Sequence, residues 1–98
     1  MTITKTIDGD ALTVLLEGRL DTATAPALEQ TLEESLDGIT LLTLDLKDLP
    51  YMSSAGLRVV LAAQKRMNRQ GKMVVRNVCG DIMEVFEITG FVDVLTIQ

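Results

Sequence analysis

The chain is expected to form a single α/β domain, a mixed β-sheet with helices packed on it. Three observations predict this. Apolar runs of strand length alternate with amphipathic runs of helix length. A tight Asp8-Gly9-Asp10 turn near the N-terminus joins two strands into a hairpin, so the sheet is not purely parallel. The chain has 98 residues and is 47% hydrophobic, enough for one core over residues 1–98 and too little for two.

Residues 2–7 alternate loosely, with Ile3 and Ile7 apolar and threonines and Lys5 between them, which reads as an edge strand. Residues 11–16 form the second strand, and Gly18 is expected to end it. Thr24 and Pro26 suit a helix start, because a proline costs no hydrogen bond in the first turn. Leu28, Leu32 and Leu36 recur every fourth residue, with Glu29, Glu33 and Glu34 on other faces, so an amphipathic helix runs to a stop at Asp37-Gly38. Residues 39–46 are almost continuously apolar, the pattern of a strand covered on both faces.

From Ser54 to Gln70 the apolar positions include Leu57, Val60, Leu61 and Met67. Lys65, Arg66 and Arg69 lie late in the run, complementing the negative end of a helix dipole, and Gly71 ends it. Residues 72–76 make a short buried strand. Asp81 is placed to cap a short helix over 82–88, and residues 92–97 read as a final strand. The order is β-β-α-β-α-β-α-β. Parallel crossovers follow from the alternating units, and sites in such sheets gather outside the carboxyl ends of the strands.

The stretch Pro50-Tyr51-Met52-Ser53-Ser54-Ala55-Gly56-Leu57 falls at such an end. Two adjacent hydroxyls stand where a helix begins, and free backbone N–H groups there favour an anion. Ser54 reads either as a helix cap or as a phosphoacceptor. A phosphate would bring about −1.5 to −2 charges to the positive end of the helix, so the fold should survive its addition. Gly56 permits close approach of helix and strand. Asp21 either forms a turn or lines the serine site. Asp45 either orders a loop at the site or points to solvent, and Met52 either fills the core or stands as a contact beside the serines. Arg58 and the later cations of the run form a solvated face or a docking patch.

Composition narrows the chemistry. There is no histidine and one cysteine, Cys79. A Ser-His-Asp triad, a Cys-His pair and a zinc-ligand cluster are therefore excluded, and no cofactor or metal is expected. A serine nucleophile elbow is disfavoured, since no Gly-x-Ser-x-Gly run and no histidine base are present. The net charge of −5 argues against nucleic acid as a partner. No apolar run approaches the roughly 20 residues that span a bilayer. No direct membrane insertion is expected, and composition and the lone cysteine fit a cytoplasmic location.

The run from Leu44 to Leu61, with Asp45, Pro50, Ser53, Ser54, Gly56, Leu57 and Arg58, resembles the signature of STAS domains, specifically the bacterial anti-sigma-factor antagonists. Leu16 to Asp21, Lys72 to Val75 and Val85 to Phe91 resemble three further family segments. The resemblance spans essentially the whole chain. It implies a single STAS domain without catalytic activity that switches partners. Unphosphorylated, such a domain binds an anti-sigma factor that is also a serine kinase. Phosphorylation of a serine at the start of the second helix releases it, and a serine phosphatase resets it. By position the acceptor is Ser54. The surface implied for the partner comprises Asp21, Met52, Ser53, Ser54, Gly56, Leu57 and Arg58. Many phosphorylated members carry aspartate just before the acceptor, where this chain has Ser53, so Ser53 stands as a second candidate acceptor. The other implied role is that of a non-phosphorylated STAS interaction subunit, as in a lipid ABC transporter.

Overall fold

The computed structural model describes residues 1–98. Strand β1 (Thr2–Asp8) turns through Gly9 into β2 (Ala11–Leu20), followed by α1 (Ala25–Ser35), β3 (Leu41–Met52), α2 (Ser54–Gln70), β4 (Lys72–Arg76) and α3 (Gly80–Thr89). The sheet order is β1-β2-β3-β4. The hairpin β1/β2 is antiparallel, while β2/β3 and β3/β4 are parallel. The expected mixed sheet with helices is thus the observed one.

The helices cover one face of this sheet. Leu12, Val14 and Leu16 of β2, Leu42, Leu44 and Leu46 of β3, and Met73 and Val75 of β4 form one core with Leu28 and Leu32 of α1, Val60 and Met67 of α2, and Ile82 and Phe86 of α3. Fully burying a leucine-sized side chain stabilises the fold by about 1.5–3 kcal/mol, so these rows dominate its energetics. On the opposite face Thr13 is exposed and Leu15, Thr43 and Asp45 are half-buried. The expectation that the third strand is covered on both faces is therefore wrong. Only Thr43 and Asp45 mark its open side, and Leu41, which completes the apolar run, is 38% exposed.

The second correction concerns strand length. Gly18 does not end β2. With φ +103° it lies inside a strand that continues to Leu20. Along this stretch β3 uses three residues for every two of β2: Leu15 pairs with Asp45, Glu17 with Asp48 and Arg19 with Tyr51. Two bulges result, and they turn the strand so that Leu46, Leu49 and Met52 are buried at every third residue. Pro50 is tolerated there because a bulge needs no ladder donor from it.

The C-terminal end departs most from expectation. Cys79, not Asp81, occupies the cap position of α3, and its C=O accepts the Met83 N–H at 2.9 Å. Asp81 lies in the first turn, where its charge complements the helix dipole. The final strand contracts to one parallel bridge between Val75 and Ile97. Gly90, with φ +79°, turns the chain into a single 3-10 turn at Phe91–Asp93, and Leu95 is buried beyond it. Only the last residues remain to reach the β4 edge.

Candidate functional site

The site lies where the carboxyl ends of β2 and β3 meet the start of α2. The Ser53 N–H donates to the Leu20 C=O at 2.8 Å, locking the two strand ends at one level. Ser53 is extended (φ −85°, ψ 173°) and its hydroxyl accepts from the Gly56 N–H at 3.3 Å. Its C=O accepts from the Leu57 N–H at 2.9 Å. Ser53 is therefore the N-cap of α2, a role that contributes about 1 kcal/mol. Its hydroxyl oxygen is occupied in holding the helix start.

Ser54 is the first residue of α2, and it is exposed. Its hydroxyl makes no hydrogen bond within the chain, and the Ser54 and Ala55 N–H groups are also uncommitted. Of the two hydroxyls, then, one is engaged in the fold and the other is presented to solvent beside free backbone donors. Arg58, four residues on, lies on the same face of the helix and is exposed.

Gly56 fixes how close this helix start comes to the sheet. A Cβ at Gly56 would stand 2.5 Å from Leu20 Cγ and 3.1 Å from the Leu20 C=O. Gly71, at the other end of α2, is extended (φ 171°), a conformation open to any residue. There the demand is for space, because a Cβ would collide with the Thr40 carbonyl. Bare Cα atoms at both ends let the helix lie flush on the sheet.

Asp21 forms the turn between β2 and α1. Its carboxylate accepts from the N–H groups of Ala23 and Thr24, each at 3.0 Å. Its C=O accepts from the Ala25 N–H at 2.8 Å. The Thr24 hydroxyl donates to the Arg19 C=O at 2.7 Å and accepts from the Asp21 N–H at 2.8 Å. The Thr24 N–H, helped by the Thr24 hydroxyl, the Ala23 N–H and the Arg19 charge and opposed by partial burial, holds the Asp21 carboxyl below its ordinary pKa. The carboxylate makes no hydrogen bond to either serine. It stays next to them through the backbone, as Leu20 bonds Ser53.

Asp45 orders a loop. Burial raises its pKa, but the Asn77 amide at 3.0 Å, the Lys47 N–H at 3.1 Å and the charges of Lys47 and Arg76 reverse this and leave it lowered. It thereby holds Asn77, which has φ 58°, at the end of β4. Of the other residues predicted for the site, Met52 and Leu57 are each only 7% exposed, and Gly56 is buried. These three shape the helix start from beneath, leaving Asp21, Ser53, Ser54 and Arg58 to reach its surface.

Two surface residues went unnoticed in the sequence. Arg19 sits 4.1 Å above the Tyr51 ring and 3.9 Å from the Asp21 carboxylate. The register that places them opposite each other comes from the two bulges, so no strand-period signal could pair them. No group of three or more His, Cys, Asp and Glu side chains is arranged to hold a metal. No helix is long and apolar enough to cross a membrane.

The STAS domain family model matches residues 2–98. The protein named "Putative anti-sigma factor antagonist BtrV" of Bordetella bronchiseptica is 41% identical over 93 residues, covering 93% of this chain and 79% of that one. The anti-sigma-B factor antagonist of Listeria monocytogenes is 34% identical over 94 residues, covering 93% of this chain and 82% of its own. The solved anti-sigma factor antagonist from Mycobacterium paratuberculosis superposes with a TM-score of 0.89 at 22% identity, over 99% of this chain and 84% of that one.

Proposed function

The chain belongs to the STAS domain family, among the non-enzymatic anti-sigma factor antagonists, and from that membership we propose that it is a cytoplasmic partner-switching regulator controlled at Ser54. In this reading the unphosphorylated protein binds an anti-sigma factor that is also a serine kinase. The kinase phosphorylates Ser54 and so ends the complex, and a separate serine phosphatase restores it.

The single observation that carries the choice of residue is the division of labour between the hydroxyls. Ser53 caps α2 through its oxygen, whereas the exposed Ser54 hydroxyl is uncommitted. Phosphorylating Ser54 breaks no bond of the fold. The new dianion meets the free N–H groups and the positive end of the α2 dipole. The fold is retained, while a partner seated over Asp21, Ser54 and Arg58 meets a bulky charge. Serine in place of aspartate at position 53 supports the same geometry, since either side chain offers an acceptor oxygen to the third residue of the helix.

The test is incubation with the cognate anti-sigma kinase and ATP. Intact mass should rise by one phosphate in the wild type and in Ser53→Ala, and not in Ser54→Ala. Ser54→Asp should fold normally and bind the kinase more weakly in calorimetry. No mass change in the wild type, or modification persisting in Ser54→Ala, refutes the reading.

A further inference from the structure

A groove runs along the seam between α1 and α2. Its cavity volume is about 280 Å³, with a floor of Leu32, Leu36, Val59 and Ala63. Glu29 and Glu33 of α1 form one lip and Ala62 of α2 the other. The groove extends toward the start of α2. A second, smaller hollow beside Ala55 and Arg58 shares Glu29 and Val59 with it. On α2, Ser54, Arg58 and Ala62 follow one another at four-residue intervals, a row that runs about 12 Å along the axis and turns about 80° toward the groove.

The charges of the groove are unbalanced. Helix α1 carries Glu29, Glu33 and Glu34 and no cation. Neither Glu29 nor Glu33 has an ion-pair partner, whereas Arg66 at the far end is bound to Asp37 at 2.7 Å. An apolar floor beneath two free carboxylates is complementary to an apolar side chain flanked by lysine or arginine.

We propose that this groove is the second half of the partner interface and takes a basic amphipathic segment of the protein that binds the Ser54 site. The inference rests on the proposed function, because the hollow at Ala55 and Arg58, which adjoins Ser54 on α2 and shares Glu29 and Val59 with the groove, is what assigns the groove to that partner. One partner spans both regions: the contact at Ser54 is sensitive to phosphate, and the contact in the groove adds affinity and orientation. An apolar anchor enters between Leu32 and Val59, and its basic neighbours pair with Glu29 and Glu33.

Calorimetry with the purified cognate anti-sigma kinase tests this on the full chain. Glu29→Lys/Glu33→Lys should weaken binding by about ten-fold or more, and Glu29→Gln/Glu33→Gln by less. The wild-type affinity should fall as salt rises, and the lysine variant should lose that dependence. Glu84→Lys/Glu87→Lys on α3 makes the same change in net charge away from the groove and should leave affinity within about three-fold of wild type. Circular dichroism confirms folding of each variant. Wild-type affinity in Glu29→Lys/Glu33→Lys, with the wild type binding, overturns the groove alone. So does an equal loss in the α3 variant, which would reduce the effect to net charge. Failure of the wild type to bind overturns this inference together with the proposed function.

Discussion

Replacing Gly56 with alanine should loosen the site from its foundation. The added Cβ stands 2.5 Å from Leu20 Cγ and 2.9 Å from Leu20 Cδ2. Carbon atoms in ordinary contact are about 3.5–4.0 Å apart, so either the helix start or Leu20 must retreat by roughly 1 Å. Leu20 is fully buried in the main core cluster, so its retreat pushes on packed neighbours. The Leu20 backbone is also tied, since its C=O accepts the Ser53 N–H. Overpacking of this kind costs about 1–3 kcal/mol. Alanine returns up to about 1 kcal/mol of helix propensity, and less in a first turn. The net loss is about 1–2 kcal/mol, and for a chain of this size Tm should fall by about 5–15 °C. Scanning calorimetry of Gly56→Ala beside Gly80→Ala is the measurement. Gly80 also lies in the first turn of a helix, but a Cβ there meets nothing within 4 Å, so its variant should match or slightly exceed the wild type. If Gly56→Ala is as stable as Gly80→Ala, close approach is not what requires the glycine.

Ser53→Ala should lower stability by about 1 kcal/mol in chemical denaturation through loss of the cap, while Ser53→Asp should retain it. Equal stability of all three would deny Ser53 its capping role. Phe86→Ala, which empties the anchor of α3, should cost about 3–5 kcal/mol; a loss under about 1 kcal/mol would show that α3 does not depend on that anchor. The carboxyls of Asp21 and Asp45 are both held low in the folded protein. Their contribution is present above the unfolded value of about 3.9 and disappears as pH falls through the folded values. Stability measured from pH 7 to pH 3 should therefore decline in the acid range, and less steeply in Asp21→Asn/Asp45→Asn. Parallel slopes would assign the decline to other carboxylates.

The parts of the fold set by a single regular period were legible from residues alone. The four-residue spacing of Leu28, Leu32 and Leu36 located α1, and α2 and β4 occupy the stretches read for them. What escaped was structure without such a period. The spacing Leu46, Leu49, Met52 belongs neither to a strand nor to a helix and becomes intelligible only with two bulges in place. Residues 92–97 read as a final strand, yet the turn at Gly90 leaves only one bridge for it. At the site, the serines stood out as a helix start, but which hydroxyl serves as cap depends on where the helix begins. A shift of one residue exchanges their roles. Arg19 and Tyr51 were hidden for the same reason as the bulges that align them.

The bond from Ser53 to Leu20 also bears on folding. Its two residues are far apart in sequence, and it exists only once β2 and β3 have paired in parallel across the α1 crossover. The hairpin β1/β2 is local and can form within microseconds, whereas parallel pairing must first meet the entropy of closing a long loop. Until that pairing is made, the bond that fixes the start of α2 against the end of β2 is missing. The arrangement that sets the Ser54 hydroxyl beside free N–H groups is therefore complete only in the assembled fold.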